Sequence, residues 1–275
     1  MHEIKPVIGI VGGKGRMGKW FERFFREDVG LNVLVCDLNT DVTVDDIVKD
    51  CDVVIVSVPM EAFESVIKEI GPKMKHEAFL TDLCSLKSVQ VDTMLKYTKE
   101  SQCEVVGTHP LFGPAEDSIK GRRVAICPAR GRRWLSWWEG LLKFKGALTY
   151  MIDAKEHDRT MAWVQALNHF ILLSLGKALE EDGIDLNQLL NLATPSFERQ
   201  LRIVSRLSLQ DPELYATIQM SNPFTQNALN IFTSHANQLL KIIKEKDRAK
   251  FVELFKEVQE LGKLLMKKKR PFEKD

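Results

Sequence analysis

The chain has 275 residues, of which 44% are hydrophobic and 28% charged, and its formal net charge is +1 at neutral pH. This is the composition of a globular protein and not of a disordered one, and so small a charge argues against broad electrostatic capture of nucleic acid. The length suits two domains. Five cysteines, at 36, 51, 84, 103 and 127, are odd in number and lack CxxC spacing, which predicts reduced, buried thiols in a reducing cytoplasm. The start "MHEIKPVIGIVGG" has no basic segment or cleavage site of a signal peptide, and no run of about 18 apolar residues exists to span a membrane.

"VIGIVGGKGRMGKWFERFFRE" passes from a β-branched run through glycines into helical periodicity, so a strand, a turn and a helix are predicted in that order. Gly13, Gly15 and Gly18 form GxGxxG, with Arg16 and Met17 between the last two. In this pattern the first glycine permits the tight turn, the second lets the backbone approach a pyrophosphate and the third lets helix and strand pack closely. The helix start offers free N–H groups to the phosphates. A ligand-free glycine turn is the alternative. The context favours the dinucleotide reading, because "LNVLVCD" at 31–37 reads as a second strand ending on Asp37, placed to accept hydrogen bonds from an adenine ribose. The same carboxylate would repel a 2'-phosphate, and no arginine follows it directly, which favours NAD over NADP.

"CDVVIVSVP" at 51–59 is a third strand ending at Ser57 and Pro59, and "AFLTDL" at 78–83 a fourth. Ser85 is a candidate cap for the next helix. "CEVVGTHP" supplies a fifth strand that runs into "THPLFGP", where Pro110 and the Gly113–Pro114 pair predict a rigid loop holding His109. Ligands of open parallel sheets bind at strand carboxyl ends. The glycines, Ser57, Ser85 and His109 all fall there, which outweighs the reading of His109 as a mere strand cap. Two more strands, at 122–128 and 146–152, flank a helix bearing Trp134, Trp137 and Trp138, and the arginines at 130, 132 and 133 lack any nucleic-acid recognition motif.

From Asp153 onward strand signals vanish. One long helix is predicted through Asp182, with Met161, Gln165, His169 and Phe170 on a broad side, followed by several more. Apolar residues on more sides than a solvent-washed helix needs, notably Phe170 to Leu175, predict burial in a bundle or an intertwined homodimer. His169 on its own reads as a core histidine, and the adjacent His157 and Asp158 as a cap pair or a cleft pair. Arg199, Arg202 and Arg206 share a helical face, either to bind a dianion in bidentate fashion or as a solvated stripe. The lysines at 267–269 read as a favourable helix end. No histidine or cysteine spacing suits a metal.

In order, "VGGKGRMG", "VIVSVP", "TDLCSLK", "GTHPLFGP", "AKEHDRTMAWVQALNHF" and "SRLSLQDPELY" resemble the prephenate dehydrogenase family of tyrosine biosynthesis, most of all the dehydrogenase part of the bifunctional enzymes that also carry chorismate mutase. The resemblance implies an α/β Rossmann domain over 1–152, an all-helical substrate-binding and dimerisation domain over 153–275, and an active site in the cleft between them. It also implies NAD-dependent oxidative decarboxylation of prephenate to 4-hydroxyphenylpyruvate. By the same resemblance His109 accepts the proton of the ring hydroxyl, and Ser85 bonds both that hydroxyl and His109. Arg206 binds a substrate carboxylate, and His169 lines the pocket rather than the core. Two departures stand out: Ala115, followed by Glu116 and Asp117, occupies the place of a family acid, and Glu198 that of an arginine. Arogenate is the alternative substrate and a non-catalytic nucleotide-binding protein the alternative class. Tyrosine feedback inhibition, common among relatives, is left open, since no residue marks an effector site.

Overall fold

The computed structural model describes residues 5–268, so Lys269 of the lysine run and the outer limits of both expected domains lie outside the described residues. By internal packing the chain divides into two compact units, one ending at Thr225 and the other beginning at Gln226.

The first unit is built on a seven-stranded sheet. Its strands are β1 (Ile8–Val11), β2 (Val33–Cys36), β3 (Val53–Val56), β4 (Phe79–Asp82), β5 (Glu104–Pro110), β6 (Arg123–Arg130) and β7 (Leu148–Met151), in the spatial order β2-β1-β3-β4-β5-β6-β7. The runs of β1, β3 and β4 are buried on both faces, as a sheet covered by helices on each side requires, whereas the edge strand β7 is largely exposed. The covering helices are α1 (Arg16–Arg23), α2 (Val44–Asp50), α3 (Met60–Ile70), α4 (Ser88–Tyr97) and α5 (Arg133–Phe144). One core is aromatic, with Phe21, Phe24, Phe25, Phe79, Trp134 and Trp138, and the other aliphatic, with Val54, Ile67, Leu80, Met94 and Val105. All five cysteines are free and buried.

The sheet is not wholly parallel, and it corrects one expectation. The pairing of β5 with β6 is antiparallel, unlike every other neighbour pair, because the connection between them carries no helix to cross the sheet. His109 and Pro110 consequently belong to a strand and not to a loop: they pair with Ala125 and Val124 of β6. Proline is tolerated there because the pairing of β5 with β4 ends at Val106, which leaves Pro110 on an edge of the sheet.

Asp153 opens the helical part by accepting from the N–H groups of Lys155 (2.8 Å) and Glu156 (3.1 Å), capping α6 (Ala154–Met161). The expected long helix runs on through Asp182 but is not uniform. Between α6 and α7 (Asn168–Asp182), residues Ala162–Leu167 form a wider turn with i→i+5 bonding. Gly183, at φ +68°, ends the run in the left-handed region. The short helices α8 (Leu186–Asn191), α9 (Pro195–Ser205) and α10 (Pro212–Ser221) follow, capped by the side chains of Asp185, Thr194 and Asp211. Along α7 the apolar run expected to be buried is partly open in the single chain: Ile171 is 38% and Leu173 49% exposed.

The second unit holds α11 (Thr225–Lys244), apart from its first residue, and α12 (Arg248–Lys267), whose start is capped by Asp247. Val258, Leu261 and Leu264, at helical spacing on α12, are each more than half exposed.

Candidate active site

The glycine turn is arranged differently in detail from the motif. The residue with positive φ is Gly12, at +80°, one place before the GxGxxG, and a Cβ there would lie 2.5 Å from the carbonyl oxygen of Ser57. Gly18 does what the third glycine should, since a Cβ would stand 2.5 Å from the Gly12 carbonyl oxygen where α1 crosses the turn. Gly15 precedes α1 and gives it no side-chain cap, and no acidic residue lies in the first turn, so the helix start is open to an anion. Arg16 is exposed on that first turn, whereas Met17 packs against the aromatic core.

Asp37 follows β2 and is tied to the same turn, its Oδ2 accepting from Lys14 N–H at 2.8 Å and its Oδ1 from Leu38 N–H at 2.8 Å. Ser57 is held at the end of β3 by its N–H bond to the Val11 carbonyl, 2.8 Å, and Pro59 starts α3 two residues on. Glycine turn, uncapped helix, carboxylate and Ser57 therefore meet at the carboxyl ends of β1 to β3. A cradle that a Cβ would fill, next to an open helix start, fits a dinucleotide pyrophosphate, and Asp37 fits the adjoining ribose.

A second cluster lies at the end of β5. His109 is 3% exposed, His157 1% and Asp158 1%. His109 Nδ1 is 3.0 Å from His157 Nε2, and His157 Nδ1 is 2.8 Å from Asp158 Oδ1. On the other side of the ring, His109 Nε2 faces the amide of Gln165 at 3.5 Å. Burial, then the neighbouring His157 and Lys87, hold the His109 imidazole well below its usual range, so it is neutral. Burial pushes the Asp158 carboxyl up, but bonds from His157, Ser88 and Lys87 outweigh it and leave the group below its usual range.

Asp158 also resolves the start of α4. Its two oxygens accept from the N–H groups of Lys87 and Ser88, each at 2.8 Å, so the cap comes from α6 and not from Ser85. Ser85 is half-buried in the bend before α4 and makes no hydrogen bond to His109; the ring nitrogens of His109 meet His157 and Gln165 instead. Beneath the cluster, the fully buried Lys87 ammonium bonds Asp82 and the Thr108 carbonyl (2.9 Å). Asp82 accepts in turn from the N–H groups of Cys84 (3.1 Å) and Thr108 (3.2 Å). The residue before His109 is thus clamped through both its backbone groups.

His169 lies beyond Gln165 on the same helical run and stacks on Tyr215 of α10, with ring centroids 4.0 Å apart. Its Nδ1 and the Oε1 of Gln165 are buried without a partner among the described residues. Two unmet polar atoms on the helix that faces His109 suit a polar ligand. Tyr215 also borders a cavity of 530 Å3 with Leu173, Leu207, Asp211 and Gln219. Arg206 is exposed where α9 ends, next to Leu207 of that cavity, and no hydrogen bond or ion pair joins it to the His109 cluster among the described residues. Of its stripe, Arg202 pairs with Glu198 at 2.7 Å. Glu116 is engaged with Arg122 at 2.8 Å.

Gly12, Lys87, Asp82 and Gln165 escaped the sequence reading as site residues. The adjacent His157 and Asp158 carried a signal, an acid–imidazole pair at a helix start, but without coordinates a cap pair and a cleft pair look alike.

Two family models match adjoining stretches: "Prephenate dehydrogenase, nucleotide-binding domain" over residues 28–150 and "Prephenate dehydrogenase, dimerization domain" over residues 153–257. A probable arogenate/prephenate dehydrogenase of Methanocaldococcus jannaschii is 34% identical over 94% of this chain and 61% of its own length. The T-protein of Enterobacter agglomerans is 33% identical over 94% of this chain and 68% of its own. The chain therefore spans about two thirds or less of these relatives. In fold it is similar to the Aquifex aeolicus prephenate dehydrogenase crystallised with hydroxyphenyl propionate and NAD+, with a TM-score of 0.74 at 19% identity, covering 96% of this chain and all of that one. Synechocystis arogenate dehydrogenase aligns with a TM-score of 0.73 at 18% identity over 94% of this chain and 99% of its own. With two adjoining domain matches and a relative one third identical over 94% of this chain, the chain belongs to the prephenate dehydrogenase family.

Proposed function

We propose that the protein is an NAD-dependent prephenate dehydrogenase, converting prephenate to 4-hydroxyphenylpyruvate and carbon dioxide. The observation that carries this reading is the buried, neutral His109, whose Nε2 faces an amide near the end of a strand in the same sheet that carries the glycine turn. A neutral imidazole in that place can take the proton of the 4-hydroxyl as C4 loses its hydride. The C1 carboxylate departs as carbon dioxide with its bonding pair left in the ring, and the proton held on His109 returns to the phenolate oxygen. Protons and charge then balance without an added acid. The cofactor, when bound, supplies hydride acceptance; Gly12, Gly13, Gly15, Arg16, Met17, Gly18, Ser57 and Pro59 would hold it, with Asp37 at the ribose.

In this reading His169 and Gln165 line the substrate, Arg206 anchors a carboxylate, and Ser85 stands near the reacting hydroxyl. The substrate and dimerisation domain is taken as 153–275, following 1–152, and the exposed apolar positions of α7 and α12 as surfaces that a second copy covers. The five free, buried cysteines support a cytoplasmic reading; among the described residues no helix is long and apolar enough to cross a membrane. The test is turnover of prephenate and of arogenate, each with NAD and NADP, followed by absorbance of the reduced cofactor. Prephenate with NAD is the expected best pair. Preference for arogenate would reassign the substrate, and turnover of neither would remove the reading.

A further inference from the structure

We propose that His157 and Asp158 are positioning residues which fix the tautomer of His109, keeping its Nδ1 protonated and its Nε2 free to act as the base. This inference rests on the reading of His109 as that base. The direction of the relay follows from what each atom can accept. Asp158 is anionic: its oxygens already take two backbone N–H bonds at 2.8 Å from the start of α4, a place that favours negative charge. A carboxylate only accepts, so the 2.8 Å contact with His157 requires the proton on His157 Nδ1. With a single ring proton, placed on Nδ1, His157 presents a lone pair at Nε2. The 3.0 Å contact with His109 therefore requires the proton on His109 Nδ1, which leaves the lone pair on Nε2, facing Gln165.

Apart from this chain of bonds, only the long 3.5 Å contact from the Gln165 amide nitrogen bears on the tautomer among the described residues, and at that distance it is weak. The clamp on Thr108 fixes the backbone before His109 but touches neither ring nitrogen. A ring with its proton on Nε2 would offer a donor where an acceptor is needed. When the substrate proton arrives on Nε2, the His109 Nδ1–H bond to His157 persists, and Asp158 lies two bonds away to balance the new charge. The same logic governs a serine protease triad, where the buried aspartate holds the histidine in one tautomer and its replacement by asparagine costs about 10⁴ in turnover.

The test uses the full chain with 15N-labelled histidine and reads the His109 ring nitrogens by NMR, the signals being identified by their loss in His109→Asn. The unmodified protein should show a protonated Nδ1 and a bare Nε2. His157→Leu should abolish that preference and lower kcat by about 100-fold or more with KM nearly unchanged. His157→Gln, whose side-chain oxygen can still accept from Nδ1, should recover part of the loss. Asp158→Asn is the harsher variant because it also uncaps α4; if it does not fold, the two His157 variants decide alone. A bare Nδ1 in the unmodified protein would overturn the proposal, as would a folded His157→Leu protein with unchanged kcat and tautomer. The NMR arm needs no substrate, so a protein inactive on prephenate and arogenate would sink the functional reading while the tautomer was still judged.

Discussion

Replacing Lys87 by methionine tests whether the buried ion pair holds this end of the sheet together. The Lys87 and Asp82 side chains are both 0% exposed, and methionine keeps most of the apolar stem while removing the charge. Asp82 would retain two backbone N–H donors, from Cys84 at 3.1 Å and Thr108 at 3.2 Å, but would lose its one countercharge, and the Thr108 carbonyl would lose the donor at 2.9 Å. Breaking a buried pair from one side costs about 3–5 kcal/mol, and an orphaned buried carbonyl about 1–3 kcal/mol. Water entry or protonation of Asp82 limits the sum, so about 4 kcal/mol is expected. Urea unfolding with far-UV and near-UV circular dichroism measures it. The double variant Asp82→Asn/Lys87→Met should regain much of the loss, because the amide carries no charge yet keeps an acceptor oxygen for a backbone N–H, and the stranded charge causes most of the loss. A Lys87→Met protein within 1 kcal/mol of the unmodified one would refute the reasoning.

Asp37→Ala should narrow the preference for NAD over NADP, measured by fluorescence titration of each cofactor; equal affinities in the unmodified protein would remove the electrostatic argument. His109→Asn should cut kcat about 100-fold or more with substrate KM nearly intact, whereas Arg206→Ala should mainly raise KM, since the first acts in the transition state and the second already in the bound ground state. Stability should fall with acid: the folded His109 pKa lies below the unfolded value of about 6.5, so its contribution is complete above that value and lost as pH drops toward the folded one. Asp158, also depressed, continues the loss from its usual 3.8 downward. Melting temperatures from pH 8 to 4 should show the decline, with a smaller drop between pH 7 and 5 in His109→Asn. Sedimentation should give twice the 31.4 kDa chain mass; a fully active monomer would show that the exposed faces of α7 and α12 are not a dimer surface.

The sequence was most legible where one local rule decides. β-branched runs and helical periods place β1 to β7 and most of their helices, the short α2 excepted, because a run such as that of β1 or β3, buried on both faces, can be little else. The glycine motif was legible as a turn, yet its left-handed residue, Gly12, lies outside the pattern; it is set by contact with Ser57 on another strand. Two other features could not be read locally. The antiparallel entry of β6 depends on where a helix-free connection can reach, and the cap of α4 on a carboxylate 70 residues downstream. His109 was found by its place at a strand end, but its partners were not, since a histidine and an aspartate next to each other in sequence satisfy many structures. Arg206 stands on resemblance and position, not on a contact in this chain.

The wide turn at Ala162–Leu167 means that the spacing of this helix matters in its own right. Residues 157 and 165 are eight apart, which in a regular helix leaves them about 80° out of phase. A turn that takes up one extra residue cancels most of that offset, and so His157 and Gln165 reach the same imidazole from one helical run. Trp163 and Val164, both exposed within the wide turn, can then vary in kind more freely than in number. In the history of such a segment, a one-codon deletion here would straighten the helix and turn Gln165 and everything beyond it, His169 included, by roughly 100° relative to His157.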